Sequence, residues 1–136
     1  MKRILALVSV LFLFNACSLN DDDGIKFHYE LLPIESVVIP DSFEMGETYP
    51  ITIKYFRPTT CHAFDGFYYD KNLNTRTLAV RNAVVQQNNC TELSNSLIEQ
   101  TLNFYVTNNG SYIFKFWQGK NHAGEDVFLE YEIPVN

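Results

Sequence analysis

The sequence predicts an all-β domain, an antiparallel sandwich of about seven short strands. Apolar and polar residues alternate with a period of two through most of residues 26–136. Clusters of Gly, Pro, Asn and Asp interrupt that alternation at the intervals expected of a sandwich. The alternation is also two-sided, apolar on one face and polar on the other, as an antiparallel sheet with one buried face requires.

Residues 26–32 and 34–39 read as two strand pieces split at Pro33, which has no N–H to donate and suits an edge. Pro40-Asp41-Ser42 and Gly46 mark a turn. In 48–56, Tyr49, Ile51, Ile53 and Tyr55 alternate with Thr48, Thr52 and Lys54. A strand around Phe64–Tyr69 ends at Asp70-Lys71-Asn72, and 75–86 alternates more weakly. Thr91–Asn95 fits either a helical turn or a loop. Leu102, Phe104 and Val106 then alternate with Thr101, Asn103 and Tyr105; Tyr112, Phe114 and Phe116 with Ser111, Lys115 and Trp117. Residues 118–125 read as a loop, after which Val127, Leu129, Tyr131 and Ile133 alternate with Phe128, Glu130 and Glu132.

The N-terminus carries a different message. Lys2 and Arg3 precede an apolar run, Ile4–Phe14, broken only by Ser9 and followed by Asn15, Ala16 and Cys17. A positive start, a short apolar run and a small residue before a cut site are the marks of a secretory signal peptide. The run is too short for the ~20 residues that span a bilayer. A small residue directly before cysteine resembles the lipobox of bacterial lipoproteins, although Phe14 and Asn15 depart from its usual residues. The resemblance implies cleavage of residues 1–16 and acylation of Cys17, an anchor held by ~0.8 kcal/mol per buried CH₂. Residues 17–25 would then form a tether. Its Asp21-Asp22-Asp23 is similar to the acidic export signals that follow the lipidated cysteine in lipoproteins of Bacteroidota. That implies an outer-membrane address, lipid-anchored and exposed at the cell surface.

Cleavage before Cys17 would remove two of the 10 Lys and Arg and none of the 16 Asp and Glu. The resulting excess of acid argues against a nucleic-acid partner, because phosphate binding relies on basic patches. With lipid on Cys17, Cys61 and Cys90 remain as an even pair, which in an exported protein predicts a disulfide. The alternatives are free thiols and a metal held by Cys61, His62 and Cys90. The last lacks the close ligand pairs of zinc sites, so no metal or other cofactor is expected.

The stretch Asn109-Gly110-Ser111-Tyr112-Ile113-Phe114 resembles the entry to the sixth strand of immunoglobulin-like domains, where a tyrosine corner would fall on Tyr112. The resemblance implies an arch between two sheets at Asn109-Gly110. Local turn rules read the same dipeptide as a tight hairpin, and a small closed barrel is the alternative architecture.

No nucleophile elbow, phosphate loop, H-E-x-x-H or dinucleotide fingerprint occurs in the sequence. His28, His62 and His122 are scattered and read as surface or turn residues. Aromatic residues are more informative: if 111–117 pairs with 126–133, Ile113, Lys115, Trp117 and Phe128 fall on the nominally polar face, and Tyr68 joins them from a neighbouring strand. Exposed aromatic faces suit carbohydrate or protein contacts. The expected function is a non-enzymatic binding module on the cell envelope with a protein or glycan partner. A lipoprotein inhibitor of an envelope-attacking enzyme is the alternative, and a hydrolase the least favoured reading.

Overall fold

The computed structural model describes residues 24–136. The expected signal peptide (residues 1–16), the expected lipidation site Cys17 and the acidic run 21–23 lie outside the described residues.

Eight strands follow one another with no helix between them: β1 (Phe27–Leu32), β2 (Ser36–Val38), β3 (Thr48–Phe56), β4 (His62–Asn72), β5 (Thr75–Val85), β6 (Leu97–Tyr105), β7 (Tyr112–Lys120) and β8 (Asp126–Ile133). They form two sheets. One has three strands in the order β2-β3-β6; the other has five, with β4 on one side of β5 and β1, β7 and β8 on the other. The domain is all-β, as its alternation predicts.

Two expectations change. The strand count is eight because the two pieces around Pro33 belong to different sheets. β1 pairs with β5, from Phe27↔Val85 to Leu32↔Val80, whereas β2 pairs with β3. Pro33 cannot donate to a ladder, and the chain crosses between sheets there. Ile34 N–H is taken up by Trp117 O at 2.8 Å and Glu35 N–H by Lys54 O at 2.8 Å.

Nor is the larger sheet purely antiparallel. β5 and β7 pair in parallel from Thr75↔Ile113 to Leu78↔Phe116. Parallel neighbours need a long crossover. Here the chain leaves β5, runs through β6 in the opposite sheet and returns to β7. Local alternation carries no trace of that choice.

The Asn109-Gly110 turn is an arch between sheets and not a hairpin. Gly110 takes a left-handed φ of 84°. The Tyr112 hydroxyl reaches back to accept N–H groups from Thr107 at 3.1 Å and Asn108 at 2.9 Å. Burial raises the Tyr112 pKa, but the Thr107 side chain, these two backbone donors and the nearby Arg76, in that order, together bring it below the usual phenol value.

Between the sheets, Ile51, Ile53 and Tyr55 from β3 meet Leu78 and Val80 from β5 and Tyr112, Phe114 and Phe116 from β7, all 0–1% exposed. Each such side chain contributes about 1.5–3 kcal/mol by leaving water. Phe43 closes one end of this core, with ring centroids 6.0 Å from both Tyr112 and Phe114. Its backbone is tied to the C-terminal segment through Phe43 N–H to Pro134 O and Asn136 N–H to Phe43 O. Arg76 also points inward. Its guanidinium lies 5.1 Å from the Tyr112 ring centroid and 6.0 Å from that of Phe104, and donates to Leu73 O and Thr75 O. Ring faces and carbonyls accommodate this buried cation.

Cys61 and Cys90 are joined in a disulfide with a Cα–Cα distance of 5.5 Å. The bond ends a ribbon that prolongs the β3–β6 ladder. Beyond Phe56↔Leu97, Arg57 N–H donates to Ser96 O, Leu93 N–H to Pro58 O and Thr60 N–H to Thr91 O, with a bridge at Thr59↔Glu92. Residues 91–95 are therefore a loop pinned along one side, with Asn95 at φ 56° where its slack is absorbed.

Candidate functional site: an aromatic groove on the five-stranded sheet

The outer face of the larger sheet is organised in transverse rows. Tyr68 on β4 is the register partner of Ala79 on β5. Carrying the Leu78↔Phe116 pair forward by one residue puts Trp117 of β7 beside Ala79, and Trp117 in turn partners Phe128 on β8. Three aromatic residues from three strands thus share one line, with a methyl group where the line crosses β5. The next row is Asp70, Thr77, Lys115 and Glu130; the one after it is Asn72, Thr75, Ile113 and Glu132.

Small side chains between large ones make a trough. Ala79 and Thr77 are its floor, and Tyr68 stands on one side with Trp117 and Phe128 on the other. Leu31 flanks it where β1 replaces β7 alongside β5. The groove has a volume of about 370 Å³ and is completed by Lys120 and Asp126. Its walls stand on strands two apart, so the span between their backbones is about 10 Å.

The polar groups at the rim are internally paired. Asp126 Oδ1 accepts from Trp117 Nε1 at 3.0 Å and from Lys120 Nζ at 2.8 Å. The Lys120 and Trp117 hydrogen bonds, in that order, hold the Asp126 carboxyl below its ordinary pKa. They also fix the indole's edge. Lys115 Nζ sits 4.4 Å from the Phe128 ring centroid and 3.8 Å from Glu130 Oε1.

Of the residues expected on this face, Tyr68, Trp117 and Phe128 line the groove. Lys115 borders it through its contact with Phe128. Ile113 lies on the same face two rows away and does not line the groove. Leu31, Thr77, Ala79, Lys120 and Asp126 were not foreseen. The outward alternation of Phe27, Tyr29 and Leu31 was a signal for the first, and the small residues of β5 between two aromatic strands were a signal for the floor.

The histidines divide differently from expectation. His62 is 6% exposed and not a surface residue. Its Nδ1 bonds to Thr59 Oγ1 at 2.8 Å, and its Nε2 lies 3.3 Å from Glu30 Oε2, which His28 Nε2 approaches at 3.7 Å. The disulfide removes both thiols from the Cys61-His62-Cys90 metal alternative. Among the described residues no group of three or more His, Cys, Asp or Glu side chains is placed to hold a metal ion.

Comparison of the chain with protein-family models, with curated proteins and with solved structures gives no match.

Proposed function

We propose that this chain is an envelope lipoprotein, tethered through lipid on Cys17, whose β domain is a non-enzymatic binding module with the Tyr68–Trp117–Phe128 groove as its ligand site. The convergence of aromatic side chains from β4, β7 and β8 on one trough with a small-residue floor carries the reading. A neutral glycan unit is the ligand its chemistry favours. Sugar rings present flat apolar faces to aromatic side chains, and Thr77, Lys120 and Asp126 are at hand for hydroxyl groups. The rim charges neutralise one another in pairs, which suits an uncharged ligand better than a polyanion.

An immunoglobulin-like sandwich is the architecture we favour within the all-β class. The Tyr112 hydroxyl bonds to Thr107 and Asn108 and the arch from β6 to β7 support it; the parallel β5–β7 pair is a departure from that pattern.

The sequence supplies its own reporter, because Trp117 is the single tryptophan. Titrating the full-length protein in detergent with a panel of envelope and host glycans should change Trp117 emission for at least one member. Tyr68→Ala should abolish that change without unfolding the domain. A silent panel, or a Tyr68→Ala protein that binds as well as the parent, would overturn the groove as a glycan site. Anchoring is tested separately: Cys17→Ser should move the protein from the membrane to the soluble fraction, and unchanged retention would refute the tether.

A further inference from the structure

The strand edges of this domain are not equally protected. An exposed edge offers unpaired N–H and C=O groups to any other strand, and folded proteins blunt such edges with short strands, bulges, charges or proline. β2 has three residues. β1 ends at Pro33. β4 is broken by a bulge between Phe64 and Gly66 and carries Asp65, Asp70 and Lys71. β8 carries Asp126, Glu130 and Glu132. β6 has none of these devices. It runs nine residues in unbroken register with β3, contains no Gly or Pro, and its one charge, Glu99, is neutralised by Lys54 at 3.1 Å. Among the described residues its second side pairs with no strand.

Beside that edge the sandwich is open. The inward row of β6, Ile98, Gln100 and Leu102, is only partly buried, as are Phe64 and Phe67 of β4 across the seam. The seam holds a cavity of about 300 Å³ lined by Tyr55, Phe64, Ile98, Gln100, His62 and Arg57. Arg57 Nε and Nη2 are engaged by His62 O and Thr60 O. Among the described residues no carboxylate pairs with this cation, and its third nitrogen makes no hydrogen bond.

We infer that β6 and the adjoining cavity take up an extended peptide segment of a protein partner by strand addition. Main-chain groups would join the β6 edge, an alternate apolar side chain would enter the cavity, and an acidic side chain would meet Arg57. In strand addition generally, the ladder gives affinity and such pockets give specificity. A second copy of this chain is a poorer occupant. Nine residues make an edge about 30 Å long and about 10 Å wide, so a bare edge-to-edge pair covers about 300 Å² per partner where a stable interface needs about 800 Å². The unpaired cation also calls for an acid. β6 brings only Glu99, already paired with Lys54. This site is separate from the aromatic groove and does not depend on it.

The test uses isotope-labelled full-length protein in detergent and two acetylated nine-residue peptides, one of alternating Val and Thr with a central Asp, the other with Asn in its place. The Asp peptide should slow hydrogen exchange of β6 amides, bind at least tenfold tighter than the Asn peptide and leave Trp117 emission unchanged. Gln100→Phe, which fills the cavity, should weaken the Asp peptide at least tenfold. If that variant does not fold, Thr101→Lys, which adds a charge to the edge strand on its outer face, serves the same purpose. Failure of both peptides to protect β6 would overturn the inference. So would equal binding of the two peptides, or β6 protection that appears with rising protein concentration and no peptide, the signature of a second copy.

Discussion

The two faces of β7 use similar residues for opposite ends. Tyr112, Phe114 and Phe116 point inward and are fully buried, with Phe114 and Phe104 at 5.0 Å between ring centroids. Ile113, Lys115 and Trp117 point outward into a face that leaves room between its large side chains. On the inner face every ring is enclosed by others, so shape is dictated by packing density. On the outer face the large groups stand apart because β5 supplies Ala79 and Thr77, and the space left between them is the groove. The contrast lies in what the facing strand offers, not in the hydrophobicity of β7 itself.

Substitutions that separate folding from binding sharpen that contrast. Phe114→Ala, which empties the centre of the core, should lower stability by about 3–5 kcal/mol, read by chemical denaturation. Replacing Cys61 and Cys90 together by Ser releases a 30-residue loop and should cost roughly 3.5 kcal/mol in the chain-entropy model. A smaller loss would mean that the ribbon from Arg57 to Thr60 holds residues 91–96 without the bond. Tyr112→Phe keeps the ring and strips two backbone N–H groups of their acceptor, with an expected loss of about 1–3 kcal/mol. Trp117→Ala should cost less than any of these while removing ligand binding. If it unfolds the domain as Phe114→Ala does, the outer row is core and the contrast fails.

The smallest effect is electrostatic. Asp126 has its carboxyl pKa lowered in the folded state. Its contribution is therefore present above the ordinary carboxylate pKa and lost as pH falls through the depressed folded value. Acid titration should release the Trp117 and Lys120 bonds below the usual carboxylate range, seen as a shift in Trp117 emission that Asp126→Asn abolishes.

Much of this was legible in the residues. Alternation identified β3, β7 and β8 and their inward faces, because a half-buried strand imposes a period of two on its own side chains. Tyr68, Trp117 and Phe128 were recognisable as aromatics on the wrong face. What could not be read were the relations set by distant pairing: β1 and β2 in different sheets, β7 parallel to β5, and the full length of β4 and β6, whose half-open inner rows blur the alternation. Leu31 and the Ala79 floor were missed for the same reason, since Leu31 reaches the groove through the pairing of β1 with β5 and Ala79 becomes its floor through the pairing of β5 with β4 and β7. His62 is buried through contacts with Glu30 and Thr59, and Glu30 is far from it in the chain.

The sheet switch at Pro33 also has a mechanical consequence. A pull on the N-terminal side of the domain reaches β1 before anything else. Drawn along its axis, β1 loads its six pairs with β5 together, in shear; drawn sideways, it unzips one pair at a time. Either way the β1–β5 ladder ends at Leu32, directly before Pro33. Beyond it Ile34 is held by Trp117 O, while Leu32, the last residue of β1, is part of the core and would leave with the strand. Leu31, one flank of the groove, would leave with β1 as well, so tension on that end of the domain would loosen the groove proposed here as the ligand site.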